Sequence, residues 1–386
     1  MAPENSFSGA LDPYRVALAD LAEQSRLRSL RLSSGRDFSS NDYLGLATSP
    51  RLSAALTAAL ARGTPIGAGG SRLLRGNTPE HEAVEAAAAS LFHAERTLFF
   101  GSGYMANLAL FSTLPQRDDL VILDEWIHAS AREGVRAGRA ASTYAAHNDC
   151  SAVDDHIRTW RAQGGRGRVW IAVESLYSMD GDRAPLAQMS ELADRHEAFL
   201  VVDEAHATGV FGPDGRGFAA SIEGRENVIV LHTCGKALGG AGALLNMPRI
   251  LCDFLVNRCR PFIYSTAPSP LMAVAALEAL TILKEEPERR EKLAQLVAYA
   301  SQKALVHGGF AVSGSQIIPV IVGDDRRTMN LASALQRLGF DVRGVRPPTV
   351  PTNTARLRIS LTLNVDESAI GDLFDALAQE MRGMAA

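Results

Sequence analysis

Phe199-Leu-Val-Val-Asp203-Glu-Ala-His206 and Val228-Ile-Val-Leu-His-Thr-Cys-Gly-Lys236 decide the fold. Each is a short run of branched apolar residues without a charge, and each ends abruptly in groups that carry chemistry. Such runs suit strands buried on both faces. Working outward, Thr97–Phe100, Leu120–Leu123 and Val169–Val173 repeat the pattern. Helical patterns separate them: Pro79–Phe92, Met105–Leu114, Val153–Gln163 and Leu186–His196. Alternating strands and helices predict an α/β fold with a mostly parallel sheet flanked by helices.

The flanks read differently. Residues 1–40 give a helix over Pro13–Arg28 and a connecting segment. Residues 41–280 hold the large α/β region. Residues 281–386 give a smaller α+β region. A helical pattern runs from Pro270 toward Gly308. Strands follow at Ile317–Val322, near Asp341–Val345 and at Arg356–Leu361, with helices at Met329–Leu338 and Asp366–Arg382. No period of 20 to 50 residues repeats, so a solenoid is excluded.

The formal net charge of −4 argues against a nucleic-acid binder driven by bulk charge. No apolar run approaches the roughly 18 residues that span a bilayer. The first dozen residues lack a basic stretch followed by an apolar one, so a secretory signal is not expected. Cys150, Cys234, Cys252 and Cys259 form no C-x-x-C pair; neither a metal site nor a disulfide framework is expected, and a reducing cytoplasm is.

Of 39 basic residues only four are lysines: Lys236, Lys284, Lys292 and Lys303. The last three lie in or near the charged stretch Lys284-Glu-Glu-Pro-Glu-Arg-Arg-Glu-Lys292, a solvated surface. Lys236 alone sits among small uncharged residues, where its amine is poorly hydrated. Desolvation and nearby positive charge both lower a lysine's pKa, as a Schiff-base lysine requires.

Ligands of open α/β sheets bind beyond the carboxyl ends of the strands. Four strand ends here deliver polar groups to one edge: His128; Glu174, Ser175 and Ser178; Asp203, Glu204 and His206; and His232, Thr233 and Lys236. A buried aspartate needs a partner. Asp203 could pair with an arginine, cap a helix, or pair with a protonated pyridine nitrogen and so keep that ring an electron sink. In such a site His206, three residues on, could reach the ring's 3-oxygen and His128 could lie on its face, although a lone histidine is more often a surface or core residue. Phe99-Phe-Gly-Ser-Gly-Tyr-Met-Ala-Asn107 runs strand, glycine turn, helix, which offers Ser102, Gly103 and Tyr104 to a phosphate.

Asp203-Glu-Ala-His206 also spells the D-E-A-H box of nucleic-acid helicases. That reading needs G-x-x-x-x-G-K-[ST] upstream. The Gly235-Lys236 pair instead follows the box, with Ala237 for the hydroxyl residue and Val230 for the first glycine.

In combination the motifs resemble those of the α-oxoamine synthases, pyridoxal 5′-phosphate (PLP) enzymes of the aminotransferase type I fold. The resemblance runs from Asn41 to about Leu361. It rests on Asn41-Asp-Tyr-Leu-Gly-Leu46, Gly69-Gly-Ser-Arg-Leu73, Ser178-Met-Asp-Gly-Asp182, Asp203-Glu-Ala-His206-Ala-Thr-Gly209 and Thr233-Cys-Gly-Lys236. It implies that Lys236 carries PLP, Asp203 faces the pyridine nitrogen, His206 the ring oxygen, and His128 stacks on the ring. Gly103 and Tyr104 would hold the phosphate, with Thr233 and Ser178 close by. Thr266 would reach the phosphate of a partner subunit, which implies an active homodimer. Arg358, with Asn41 near it, would bind an amino-acid carboxylate. Arg28 and Thr349 match substrate-contacting positions.

Ile263-Tyr-Ser-Thr266, Arg346-Pro-Pro-Thr-Val-Pro351 and Thr354-Ala-Arg-Leu-Arg358 point, within that family, to L-alanine and a pimeloyl thioester of coenzyme A or acyl carrier protein. Glycine C-acetyltransferase, 5-aminolevulinate synthase and serine palmitoyltransferase share nearly all the PLP motifs and stay as alternatives. Two positions depart from the pattern. Asn353 stands where close relatives usually have Gly, and Trp126-Ile127 precede His128 where smaller or more polar residues are common.

Overall fold

The computed structural model describes residues 8–306 and 312–385. It divides into two compact units, Asn41–Gln295 and Met1–Ser40 with Leu296–Ala386.

The larger unit is built on seven strands: β1 Arg96–Phe100, β2 Leu120–Asp124, β3 Ala141–Ala145, β4 Val169–Glu174, β5 Phe199–Asp203, β6 Val228–Thr233 and β7 Ala243–Met247. Their order in the sheet is β1-β7-β6-β5-β4-β2-β3. The pairs β3–β2, β2–β4, β4–β5 and β5–β6 are parallel; β7 is antiparallel to both its neighbours, β1 and β6.

Strand side chains alternate between faces, and the two faces bury different layers. Val121 and Leu123 of β2, Val201 of β5 and Leu231 of β6 pack with Ala106 and Leu110 of the helix Gly103–Thr113 and Val135 of Ala129–Ala137. Leu120, Ile122, Leu200, Val202 and Val230 pack instead with Val153 and Ile157 of Cys150–Ala162 and Met189 and Leu192 of Leu186–Arg195. A sheet covered on both faces explains why its central strands tolerate no charge until their last residue.

The smaller unit holds an antiparallel sheet of β8 Ile317–Gly323, β9 Arg343–Val345 and β10 Ala355–Ser360, in the order β9-β10-β8. Helices Asp325–Arg337 and Glu367–Ala385 accompany it. The N-terminal helix covers Asp12–Glu23 and stops short of the expected Arg28. Ser25 takes a positive φ of 56°, and the N–H groups of Arg26 and Leu27 both turn back to Leu21 O. The long helical pattern after Pro270 is two helices, Pro270–Glu285 and Glu288–Val306, interrupted at Pro287. The end of that pattern, His307 and Gly308, lies outside the described residues. No helix among the described residues is long and apolar enough to cross a membrane.

Candidate active site

Strand parity places the site. Val201 and Leu231 face the helix Gly103–Thr113, so two residues on, Asp203 and Thr233 face it too. Asp203 Oδ2 accepts from Asn107 Nδ2 at 2.9 Å, and Oδ1 accepts from the Ala205 N–H at 2.9 Å. A β-carbon added to Gly103 would lie 3.7 Å from Thr233 Oγ1. Helix Gly103–Thr113 starts at Ser102, whose hydroxyl accepts from Met105 N at 3.2 Å. That leaves its first main-chain N–H groups, those of Gly103 and Tyr104, directed out of the helix end.

Asn107 Nδ2 also donates to Ser130 Oγ at 2.9 Å. Ser130 contacts His128 through both hydroxyl (2.8 Å) and main-chain N–H (3.2 Å), each at Nδ1. The main-chain group can only donate, so Nδ1 accepts and a neutral His128 carries its proton on Nε2. The ring has an exposed edge, yet the protein crowded around it lowers its pKa. Asp203 opposes that shift; Lys236 and Arg132 add to it. A neutral imidazole can lie flat against an electron-poor ring without bringing charge there.

On the other side, Lys236 Nζ lies 2.6 Å from His206 Nε2. His206 Nδ1 lies 2.7 Å from the Tyr43 hydroxyl, which donates to Asn41 Oδ1 at 3.0 Å. With that hydroxyl proton committed to Asn41, Nδ1–H donates to Tyr43, and Nε2 is left as the acceptor facing Lys236. The turn after Lys236 is pressed onto the same segment: Gly239 has φ +65°, and a β-carbon there would lie 2.4 Å from Leu46 C. Only glycine fits.

Glu174, in register with Asp203, is buried. Its Oε2 accepts from Ser178 N at 3.2 Å. Burial, and next the charge of Asp203, push its carboxyl up to about 8, with Lys236 opposing. It therefore stays largely protonated at neutral pH.

His232 has the opposite parity, facing the layer under Val230. Its Nδ1 meets Thr208 Oγ1 at 2.8 Å, its Nε2 meets Glu223 Oε1 at 2.9 Å, and its ring stacks on Phe92 at 3.7 Å. Asn246 donates to the same Glu223 oxygen at 2.8 Å. This buried network sits behind the strand end that carries Lys236.

The structure thus brings Lys236, His206, Asp203, His128, Gly103, Thr233 and Asn41 together within the larger unit. Tyr104 and Thr266, in the same unit, are exposed; Ser178 is half-buried. Arg28, Thr349 and Arg358 belong to the smaller unit. There Arg28 donates to Thr349 Oγ1 at 3.1 Å, and buried Arg358, on β10, donates to Ser360 Oγ at 2.6 Å. Asn353 adopts φ +64°, the left-handed conformation that asparagine tolerates better than most residues; the departure from glycine keeps the turn. Asn107, Ser130 and Tyr43 were not singled out by residue type, although the first and last lie inside quoted motifs. Among the described residues, no three His, Cys, Asp or Glu side chains gather as a metal site.

A lysine amine on an acceptor imidazole, a carboxylate held by an amide, a neutral histidine and an open helix start suit PLP: amine for aldehyde, carboxylate for ring nitrogen, main-chain N–H groups for phosphate. The chain belongs to the aminotransferase class I and II family, whose family model matches residues 35–377. Within that family it belongs with the 8-amino-7-oxononanoate synthases. It is 43% identical to the synthase of Anaeromyxobacter dehalogenans (strain 2CP-1), over 88% of this chain and 84% of the relative. It is also 43% identical to that of Chromobacterium violaceum, over 88% of each. Among solved structures it is similar to the Sphingomonas wittichii serine palmitoyltransferase (27% identity, TM-score 0.87, 99% of each chain). It is similar as well to the 8-amino-7-oxononanoate synthase of Francisella tularensis (26% identity, TM-score 0.77, 92% of this chain and 99% of that one). A structure described as SPT with a PLP internal aldimine matches at TM-score 0.87 and 26% identity over 99% of this chain and 100% of that one.

Proposed function

We infer that this chain is a PLP-dependent acyltransferase. It condenses L-alanine with a pimeloyl thioester, of coenzyme A or acyl carrier protein, and releases 8-amino-7-oxononanoate, carbon dioxide and the free thiol, a step of biotin biosynthesis. The observation that carries this reading is the Lys236–His206 pair beside the Asn107-held Asp203, in a chain 43% identical to such synthases over 88% of its length.

When bound, PLP supplies an electron sink for charge developing at the amino acid's α-carbon. The protein's groups do the rest. The Lys236 amine would hold the cofactor, and as a free amine it would be placed to take the α-carbon proton as general base. His206 Nε2, presented as an acceptor by Tyr43, stands where it can share that proton. Asp203 would face the ring nitrogen and stabilise positive charge there, aimed by its bond from Asn107. His128, held by Ser130, would lie against the ring. Gly103, Tyr104, Thr233 and Ser178 are assigned to the phosphate. Arg358 and Asn41 are assigned to the amino-acid carboxylate, and Arg28 and Thr349 to the acyl substrate. Thr266, exposed in the single chain, is assigned to the phosphate of a partner subunit; a homodimer in the cytoplasm is the working form.

The test is a thiol-release assay that crosses alanine, glycine and serine with acetyl, succinyl, pimeloyl and palmitoyl thioesters. Alanine with pimeloyl thioester should give the fastest release, and Lys236→Ala should abolish it along with the visible absorbance of bound PLP. Release with glycine and acetyl-CoA but not with alanine and pimeloyl-CoA would move the assignment to glycine C-acetyltransferase.

A further inference from the structure

His147 follows β3 and lies outside every motif that marks the site. Both of its ring nitrogens face carboxylates: Nδ1 is 2.9 Å from Asp124 Oδ1, and Nε2 is 2.7 Å from Asp182 Oδ2. A neutral imidazole has one N–H, and its bare nitrogen would face a carboxylate's lone pairs. Both contacts attract only when both nitrogens carry protons; Asn148 Nδ2, 3.1 Å from Nε2, directs its two hydrogens to Asp182 Oδ2 at 2.8 Å and the Arg183 carbonyl at 3.2 Å instead. The ring also stacks on Trp126, with centroids 3.9 Å apart and planes 18° apart, and meets Tyr177 edge-on at 4.4 Å. An aromatic face favours a cation.

The two carboxylates organise the two segments that lead into the site. Asp124 ends β2; its oxygens accept from Trp126 N and Asn148 N at 2.8 Å each, and its carbonyl accepts from Ile127 N at 3.1 Å, one residue before His128. Asp182 closes the turn that carries Ser178, its carbonyl accepting from Tyr177 N at 2.9 Å; Asn148 Nδ2 adds a 2.8 Å bond to its side chain. The other charged groups nearby are Glu125, whose carboxylate accepts from His147 N at 3.0 Å, and Arg183, whose carbonyl accepts from Asn148 Nδ2.

We propose that His147 is a positioning residue of the active site: as an imidazolium between Asp124 and Asp182, it clamps the segment ending in His128 to the turn that carries Ser178. The proposal rests on the functional reading above, since it gives His128 and Ser178 their importance. Supporting it, burial would by itself lower the pKa of His147, but the bonds and charges of Asp124 and Asp182 outweigh burial and raise it to about 9.

The folded pKa lies above the ordinary 6.5, so the clamp's contribution is complete below about pH 6.5 and is lost as pH rises through about 9. Melting of the cofactor-free protein should show that alkaline limb, and His147→Gln should shrink it to the loss that Glu174 contributes up to about pH 8. In the PLP-loaded enzyme His147→Gln should lower kcat/KM by roughly tenfold, as a small misplacement of site groups does. A glutamine amide can donate to Asp124 but turns its oxygen on Asp182. Adding Asp182→Asn supplies a donor there, and the double variant should recover at least about threefold of the loss.

An unchanged kcat/KM and alkaline limb in His147→Gln, or a double variant no better than the single, would overturn the proposal. Should His147→Gln not fold, Asp182→Asn alone decides: its limb should move to lower pH, and an unmoved limb overturns the clamp. Failure of the functional reading looks different. The wild-type protein would then show no PLP-dependent thiol release, while its alkaline melting limb persisted.

Discussion

Replacing His232 by alanine tests whether the buried network behind Lys236 is as tightly matched as its distances imply. His232 and Glu223 are 0% and 1% exposed at their side chains and 2.9 Å apart. Glu223 Oε2 has no partner of its own, and Asn246 is the other donor to Oε1. Removing the imidazole strands a carboxylate where water does not reach. Breaking a buried pair from one side costs about 3–5 kcal/mol, and the ring's stack on Phe92 is lost as well. The larger unit has roughly 250 residues. At ~2.1 cal/mol/K of unfolding entropy per residue, Tm should fall by about 6–10 °C. The assay is thermal unfolding of the cofactor-free protein, so that PLP binding does not mask the change. Adding Glu223→Gln removes the stranded charge and should return about a third or more of the loss. A shift under about 2 °C, or a double variant no more stable than His232→Ala, would refute the reasoning.

Two further outcomes follow from the site. Glu174 has a folded pKa of about 8 against an ordinary 4.5, so the wild type loses stability as pH rises from about 4.5 through about 8. Glu174→Gln should lose less over that range, by roughly 5 °C between pH 5 and pH 8.5; parallel melting curves for the two proteins would show that the carboxyl ionises normally. Asn107→Ala takes a donor from a buried carboxylate, a bond worth about 1.5–3 kcal/mol. PLP should then dissociate roughly 10- to 150-fold more readily in absorbance titrations, and an unchanged Kd would mean that Asp203 holds its orientation unaided.

The central strands were legible because burial on both faces leaves an unbroken Val/Ile/Leu run, and the catalytic groups were legible because such runs end in them. β3, Ala-Ser-Thr-Tyr-Ala, is a short polar edge strand without the unbroken apolar run that marks the central strands. β7, Ala-Leu-Leu-Asn-Met, contains no β-branched residue, and its composition favours helix as readily as strand. The composition of Ser25–Arg28 favours helix as far as Arg28, but the chain turns there through main-chain bonds back to Leu21. Lys236, Asp203, His206 and His128 sit at strand ends or one turn beyond, where position alone makes a side chain suspect. Asn107, Tyr43 and His147 act through partners 96, 163 and 23 or 35 residues away, and no local pattern encodes such pairings.

One helix, Gly103–Thr113, offers N–H groups at its first residue and the amide that holds Asp203 one turn later. With a rise of 1.5 Å per residue, those two functions are set about 6 Å apart along the axis, and a hydrogen-bonded helix neither stretches nor shortens. On the proposed assignment the protein carries a built-in gauge for its cofactor. A PLP analogue lengthened by one methylene between ring and phosphate can satisfy one end of that gauge, but not both at once.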